Sequence, residues 1–398
     1  MPHWIWQHPQ WSHFGWQAEA LAPLLRQVTL AQGALLGRAR GADAALQAEF
    51  SLDALLQNIV NSSAIEGERL NVDSVRSSLA RRLGLQAAAT VRPEARGEGF
   101  ARIMWDATTN LAAPLDQARL LQWHAWLFAS DDGFLGRKIR IGAWRGPEPM
   151  QVVSGRIDRP RGHFEAPPRD GLERRIVEFL AWFAAGRRDA TLDPLLRAAI
   201  AHFWFVTLHP FDDGNGRIAR ALTDLALAQG EQHSIRFYAM SAAILADRKG
   251  YYRQLESAQK MASAQQPLDL TSWLQWFLVT LQRAIANAST QIDRVLGKAR
   301  FWLLHRQQSL SAEQIKVLNR LLDGDQPERG GFADGISAAQ YQAVTGVSKA
   351  TATRHLADLV AKACLVRLPG GGRNTRYQIH WPAADARLNP EQAALRER

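Results

Sequence analysis

His209-Pro210-Phe211-Asp212-Asp213-Gly214-Asn215-Gly216-Arg217-Ile218-Ala219-Arg220 is the stretch on which the reading of this chain turns. The apolar run before it, AAIAHFWFVTL (198–208), reads as a buried helix that delivers His209 at its C-terminal end. Gly214 and Gly216 let the backbone turn tightly and approach a ligand with no Cβ in the way. The next helix is expected from about Arg217, so its free N–H groups and positive dipole end face the loop. A glycine-rich loop entering a helix N-terminus is an anion cradle. Arg217 and Arg220 share a helix face and can clamp phosphate oxygens. Asp213 beside them is a hard ligand suited to Mg²⁺, and His209 is the natural general base for a hydroxyl nucleophile. Base, metal ligand, cradle and clamp together point to phosphoryl or nucleotidyl transfer.

Working outward, the rest of the chain reads as mainly helical. Helices are expected at 17–36, 44–60, 116–130, 170–186, 192–208, 217–229 and 267–305, broken at Gly and Pro. The ARGEGF segment around Arg96 reads as a loop or soft boundary. From Lys138 to Pro168, Pro and Gly interrupt β-prone pieces (KIRI, MQVV), which predicts a loop with a small hairpin. After Arg306 the pattern becomes helix (311–322), turn-rich segment, helix (338–345), tight turn (Gly346–Ser348), helix (349–362) and a glycine-tipped hairpin.

Composition sets the outer limits. The 398 residues are 46% apolar and 22% charged, which excludes a mainly disordered chain, a collagen-like repeat and a disulfide miniprotein. The net charge of +10 implies a polyanionic partner: nucleic acid, nucleotide phosphates or an anionic membrane. A lone cysteine, Cys364, fits a reducing compartment, and the start of the chain carries no signal-peptide pattern. No apolar run is long enough to span a bilayer, so a cytoplasmic protein is expected. Many of the fourteen Trp residues, Trp4, Trp6, Trp11 and Trp16 among them, read as packing anchors.

The 209–220 stretch resembles the Fic-domain family, whose motif is HPFx(D/E)GNGRxxR, at every motif position. The resemblance implies transfer of AMP from ATP to a protein Ser, Thr or Tyr hydroxyl, with release of pyrophosphate. It implies His209 as base and Asp213 as the Mg²⁺ ligand. Asn215 and the Gly214 and Gly216 backbone would hold the α-phosphate, Arg217 the β-phosphate and Arg220 the γ-phosphate. The branch that phosphorylates instead has Lys where this chain has Gly216. The hairpin in 138–168 would be the family's target-aligning flap, with MQVVSG (150–155) contributing. Tyr251 and Tyr252 either flank the adenine or pack in the core.

Upstream, Ser62, Glu66 and Gly67 resemble the family's inhibitory pattern (S/T)xxxE(G/N). By that resemblance Glu66 pairs with Arg220 where the γ-phosphate would lie, and ATP binds only in an unproductive pose. The implied fold is a Fic helical bundle with a small flap, between an N-terminal helical region and a C-terminal winged helix-turn-helix. The expected boundaries are 1–95 (inhibitory helix about 58–68), 96–290 for the catalytic core, 291–308 as a connecting helix or linker, 309–382 for the winged helix and 383–398 as tail. The last module gathers Lys349, Arg354, Lys362, Arg367, Arg373 and Arg376 against Asp358, a footprint for DNA or, alternatively, a protein-contact surface. A homodimer is the family's common assembly. The competing readings are a DNA-binding regulator with a nucleotide-sensing Fic domain, or a Fic enzyme that uses another nucleotide donor or removes AMP.

Overall fold

Helices carry almost all of the first of two units into which the chain divides, Met1–Ala288 and Ser289–Arg398. The computed structural model describes residues 3–85, 91–92, 94–129, 139–156, 159–232, 237–261, 266–324, 332, 335–370 and 375–381, with backbone only at 153–156 and 159–161. Arg373 and the 383–398 tail lie outside the described residues.

The first unit runs α1 (Ala18–Arg40), α2 (Ala44–Ile65), α3 (Val72–Arg82), α4 (Ala95–Thr109) and α5 (Gln117–Leu127). A hairpin follows, β2 (Gln151–Arg156) and β3 (Arg159–Glu165), after the two-residue strand β1 (His3–Trp4) at the start of the chain. Then come α6 (Leu172–Gly186), α7 (Pro194–Leu208), α8 (Asn215–Glu231), α9 (Met240–Ala246), α10 (Arg248–Gln259), β4 (Lys260–Met261) and the first part of α11 (Thr271–Leu304). The caps explain several starts. Asp43 accepts from Leu46 N at 2.9 Å, and Asp193 accepts from Leu195 N at 2.8 Å just before Pro194 at the first helical position. Every residue of α7 from Leu195 to Leu208 is buried, so it is the central helix of this unit.

Two expectations fail here for physical reasons. The ARGEGF segment is helix, the first turns of α4. A Cβ on Gly99 would lie 1.9 Å from the Trp126 carbonyl oxygen, and one on Gly97 would lie 2.9 Å from Val75 Cγ2. Those glycines permit close helix packing rather than a chain break. Of the KIRI segment Lys138 lies outside the described residues, and 139–141 form no strand. Arg140 N donates to the Asp212 carboxylate at 3.0 Å and Ala143 N to Arg140 O at 3.3 Å, which makes 140–143 a turn tied to the 209–220 loop. The hairpin is confined to β2 and β3, paired Gln151 to Glu165 and Val152 to Phe164 with a bulge after Val152.

The N-terminal Trp-rich segment straps the helices. β1 pairs antiparallel with β4. Trp6 donates Nε1–H to Glu165 O at 2.7 Å, Trp4 meets Phe164 edge-on at 5.3 Å, and Trp11 and Phe14 meet Trp204 at 6.1 and 5.5 Å.

The second unit holds α12 (Ala312–Leu322), α13 (Ala338–Thr345), α14 (Lys349–Ala361) and a hairpin of β5 (Leu365–Arg367) with β6 (Tyr377–Ile379). Ile336 bridges to Tyr377 and adds a third edge. Val317, Leu318, Tyr341, Leu356, Leu359, Cys364 and Ile379 form its core. Gly346 turns the chain in the left-handed region at φ 76°, and Ser348 caps α14. Among the described residues, no helix is long and apolar enough to cross a membrane.

Candidate functional site

The link between α7 and α8 is built from the base outward. His209 ends α7 in the left-handed region (φ 47°, ψ 58°), where a non-glycine residue is strained by ~1 kcal/mol or more and needs support. Arg145 supplies it. Its Nε donates to His209 O at 2.9 Å, its main-chain N donates to Pro210 O at 2.9 Å, and Nη2 reaches Pro167 O at 2.5 Å, just past the hairpin. Arg145 is 2% exposed.

The His209 ring is oriented through Nδ1, which lies 3.2 Å from Val206 O. A carbonyl only accepts, so Nδ1 carries the hydrogen and Nε2 keeps its lone pair. Burial holds the imidazole below its ordinary range and Arg145 adds to that, against the opposing pull of the Val206 carbonyl, Glu66 and Asp213. The ring is therefore neutral and basic at Nε2 near pH 7.

Asn215 closes the loop through its side chain. Its Oδ1 accepts from Phe211 N at 3.0 Å and its Nδ2 donates to Phe211 O at 2.9 Å, with the side chain buried. The backbone N–H groups at the start of α8 lie beside it as anion donors. Phe211 stacks on His124 at 4.2 Å. His124 accepts from Gly142 N at Nδ1 (3.0 Å), which places its hydrogen on Nε2, 3.3 Å from Asp213 O. Burial drives the His124 imidazole down to about 4, so it stays neutral and serves as a brace.

Asp213 accepts from Gly214 N at 2.6 Å, and its carboxylate is 47% exposed. Among the described residues no three His, Cys, Asp or Glu side chains cluster as a metal site. Gly214 adopts φ 79°, and a Cβ there would meet Leu127 Cδ2 at 2.7 Å.

The arginines at the other end of the loop are occupied. Arg220 donates Nε–H to Ser62 Oγ at 2.7 Å, and Nη2–H to Ser62 O at 2.9 Å and Glu66 Oε1 at 2.7 Å. Burial works to raise the Glu66 carboxyl, but Arg220, with Arg217 and Arg248 behind it, outweighs burial and holds it below the ordinary range. Glu66 Oε1 stands where a Cβ of Gly216 would be, only 2.2 Å from that position. Arg217, almost fully buried, donates Nη1–H to Glu68 Oε2 at 2.6 Å. Arg217 Nε and Arg220 Nη1 have no partner among the described residues and are buried.

Glu66 is not inside the helix expected at 58–68. α2 ends at Ile65, and Glu66 is its C-cap. Gly67 is left-handed at φ 83°, Gly67 N donates to Ala64 O at 3.0 Å and Glu68 N to Ser63 O at 3.0 Å. This is a Schellman ending. Arg248 Nε–H caps Ile65 O at 2.6 Å.

The two tyrosines separate. Tyr251 is 1% exposed, its hydroxyl is 2.9 Å from His202 Nε2, and its ring lies 5.5 Å from Trp276. It packs in the core. Tyr252 stays at the edge of the site, its hydroxyl 3.4 Å from Glu66 Oε2. Sequence reading did not find Arg145, His124 or Glu68. His124 sits on an apolar face of α5, Arg145 in a loop with no periodicity, and Glu68 just past a helix end, so none carried a pattern.

Residues 114–227 match the Fic/DOC family, and residues 4–85 match a domain of unknown function, DUF4172. Protein adenylyltransferase fic-1 of Caenorhabditis elegans is 60% identical over 79 residues, 19% of this chain and 15% of that protein. Protein adenylyltransferase Fic of Drosophila melanogaster is 28% identical over 176 residues, 44% of this chain and 32% of that one. The matches thus span about a third or less of these relatives' own length. A crystal structure of a Fic family protein from Desulfovibrio desulfuricans superposes with a TM-score of 0.48 at 18% identity, covering 91% of this chain and 97% of that one. A Fic domain containing signaling protein from Bacteroides thetaiotaomicron gives 0.48 at 16% identity, covering 67% and 95%. The chain carries a Fic/DOC domain and is homologous to protein adenylyltransferases.

Proposed function

We propose that this protein is an adenylyltransferase that moves AMP from ATP to a side-chain hydroxyl of a protein, and that Glu66 restrains it. The observation that carries this reading is the contrast within one loop. The lone pair of His209 Nε2 is set for a proton, and the arginine pair beyond it already holds carboxylates in place of phosphates.

The target Ser, Thr or Tyr oxygen attacks the α-phosphorus as its proton passes to His209 Nε2. A P–O bond forms to the target, and the bond to the pyrophosphate leaving group breaks. Arg217 and Arg220 neutralise the β- and γ-phosphates, and the N–H groups at the head of α8 hold the α-phosphate. Asp213 would hold Mg²⁺, which would supply further charge neutralisation on the phosphates. The β2–β3 hairpin offers main-chain edges for an extended target segment.

Intact mass of Glu66→Gly after incubation with ATP and Mg²⁺ tests the reading. One added AMP moiety supports it. One added phosphate overturns it in favour of a kinase, and an unmodified chain together with no labelling of a cell extract overturns the transferase reading.

For the second unit we propose a winged helix that contacts a nucleic-acid backbone. Lys349, Thr353 and Arg354 are exposed along one side of α14, and Arg367 is exposed on β5. The footprint is smaller than the sequence count, because Lys362 is held by Asp358 at 2.6 Å and Arg376 by Gly335 O at 3.0 Å. A gel shift that weakens with salt and is lost in Lys349→Ala/Arg354→Ala supports this reading. No shift at low salt leaves the protein-contact role.

A further inference from the structure

We propose that Glu68 is a second gate on the site: a specificity-determining residue that competes with the second phosphate of a nucleotide for Arg217, separately from Glu66 at Arg220. The inference rests on the nucleotide reading above and assigns a function to a residue outside the (S/T)xxxE(G/N) pattern.

Geometry carries it. The Glu68 carboxylate is 2.6 Å from Arg217 Nη1, and the arginine side chain is only 5% exposed. The other carboxylate near Arg217, Asp213, stands off at 3.8 Å and is already engaged by Gly214 N. Phe128 covers a face of the guanidinium at 5.2 Å. Arg217 Nε is buried and unpartnered among the described residues, so the guanidinium is only partly satisfied by Glu68. A buried, under-satisfied guanidinium at a helix start is a strong anion site, and a carboxylate is the poorer of the two anions available to it.

The Schellman ending explains why Glu68 can reach. With Gly67 at φ 83° and Glu68 N bonded to Ser63 O, the chain reverses at once after Glu66. The two glutamates, two positions apart, then face two arginines three positions apart on α8. Each pair is its own contact. Glu66 is braced by Tyr252, and Ser62 helps hold Arg220. Glu68 has Arg217 and is more exposed than its neighbour, at 36% against 30%. The arrangement therefore sets two carboxylates, each hydrogen-bonded to a different arginine, against two phosphate positions. A nucleotide with one phosphate meets neither, a diphosphate displaces Glu68, and a triphosphate must displace both.

Calorimetric titration of the full chain with AMP, ADP and ATP tests this, using wild type, Glu68→Gln, Glu66→Gln and Arg217→Ala. Glu68 is partly exposed at a helix exit, so Glu68→Gln should fold, and an unchanged unfolding midpoint within a few degrees checks that. The expected result is that Glu68→Gln tightens ADP about fivefold, in keeping with loss of one competing ion pair, and leaves AMP unchanged. Glu66→Gln should tighten ATP and leave ADP unchanged. If Arg217→Ala weakens ADP but Glu68→Gln binds ADP as wild type does, the gate is overturned and the nucleotide site stands. If Arg217→Ala leaves ADP binding intact, the assignment of Arg217 to a phosphate fails, and the gate fails with it.

Discussion

The two ends of the 209–220 loop are in opposite conditions. At the His209 end everything is assembled: the ring is fixed through Nδ1, its strained backbone is pinned by Arg145, and burial keeps it neutral. At the arginine end the groups are equally well placed, but Glu66 and Glu68 already occupy one side of each guanidinium. The difference teaches where the proposed restraint would act: at the arginines, where the chain supplies anions of its own, and not at the base. Removing those anions should then uncover a site that needs no reorganisation at the base.

Breaking the assembled end has the largest expected effect. His209→Ala should lower AMP transfer by about 10²–10⁴-fold, the usual worth of a positioned general base, with ATP affinity nearly unchanged. Label transfer at saturating ATP checks it. Breaking the occupied end should act in the opposite direction. Glu66→Gly should raise the rate by about 10–100-fold, because removing one partner of a largely buried pair is worth a few kcal/mol.

A smaller loss is expected at the joint between the hairpin and the base. Arg145→Lys keeps the charge but loses the fork that holds His209 O and Pro167 O, and should cost about tenfold in kcat with little change in KM. Arg145→Met should cost as much and also move the pH profile. In the Glu66→Gly background, activity should rise with pH through a midpoint below 6.5 and then level off, since the base works deprotonated and its affinity for protons is lowered. Removing the nearby cation in Arg145→Met should shift that midpoint upward.

The smallest effect concerns stability. The Glu66 carboxyl is lowered in the folded protein, so its contribution is full above the ordinary carboxyl value of 4.5 and is lost as pH falls through the folded value below that. The Tm difference between wild type and Glu66→Gln should therefore narrow between pH 5 and pH 3.

Much of this was legible in the sequence because it lives in local pattern. α7 announces itself by an unbroken apolar run ended at His209-Pro210, α8 by the Gly214 turn, and the Ser62–Glu66 spacing by one helical turn. What was not legible depends on distant partners. Gly97 and Gly99 look like breakers until Val75 and Trp126 are packed against them. Nothing in the spacing of Asn215 shows that its amide also closes the loop onto Phe211. Tyr251 looks available until His202 and Trp276 bury it. Glu68 has no periodic signature, because only the Schellman turn brings it to Arg217.

The central claim is that a finished site is held in check by its own carboxylates. Transfer of label from α-³²P-ATP to protein, compared in wild type, Glu66→Gly and Glu66→Gly/His209→Ala, tests it most directly. The account predicts weak labelling in wild type, labelling at least about tenfold stronger in Glu66→Gly, and none above background in the double variant. Equal labelling of wild type and Glu66→Gly, or strong labelling that survives loss of His209, would contradict it.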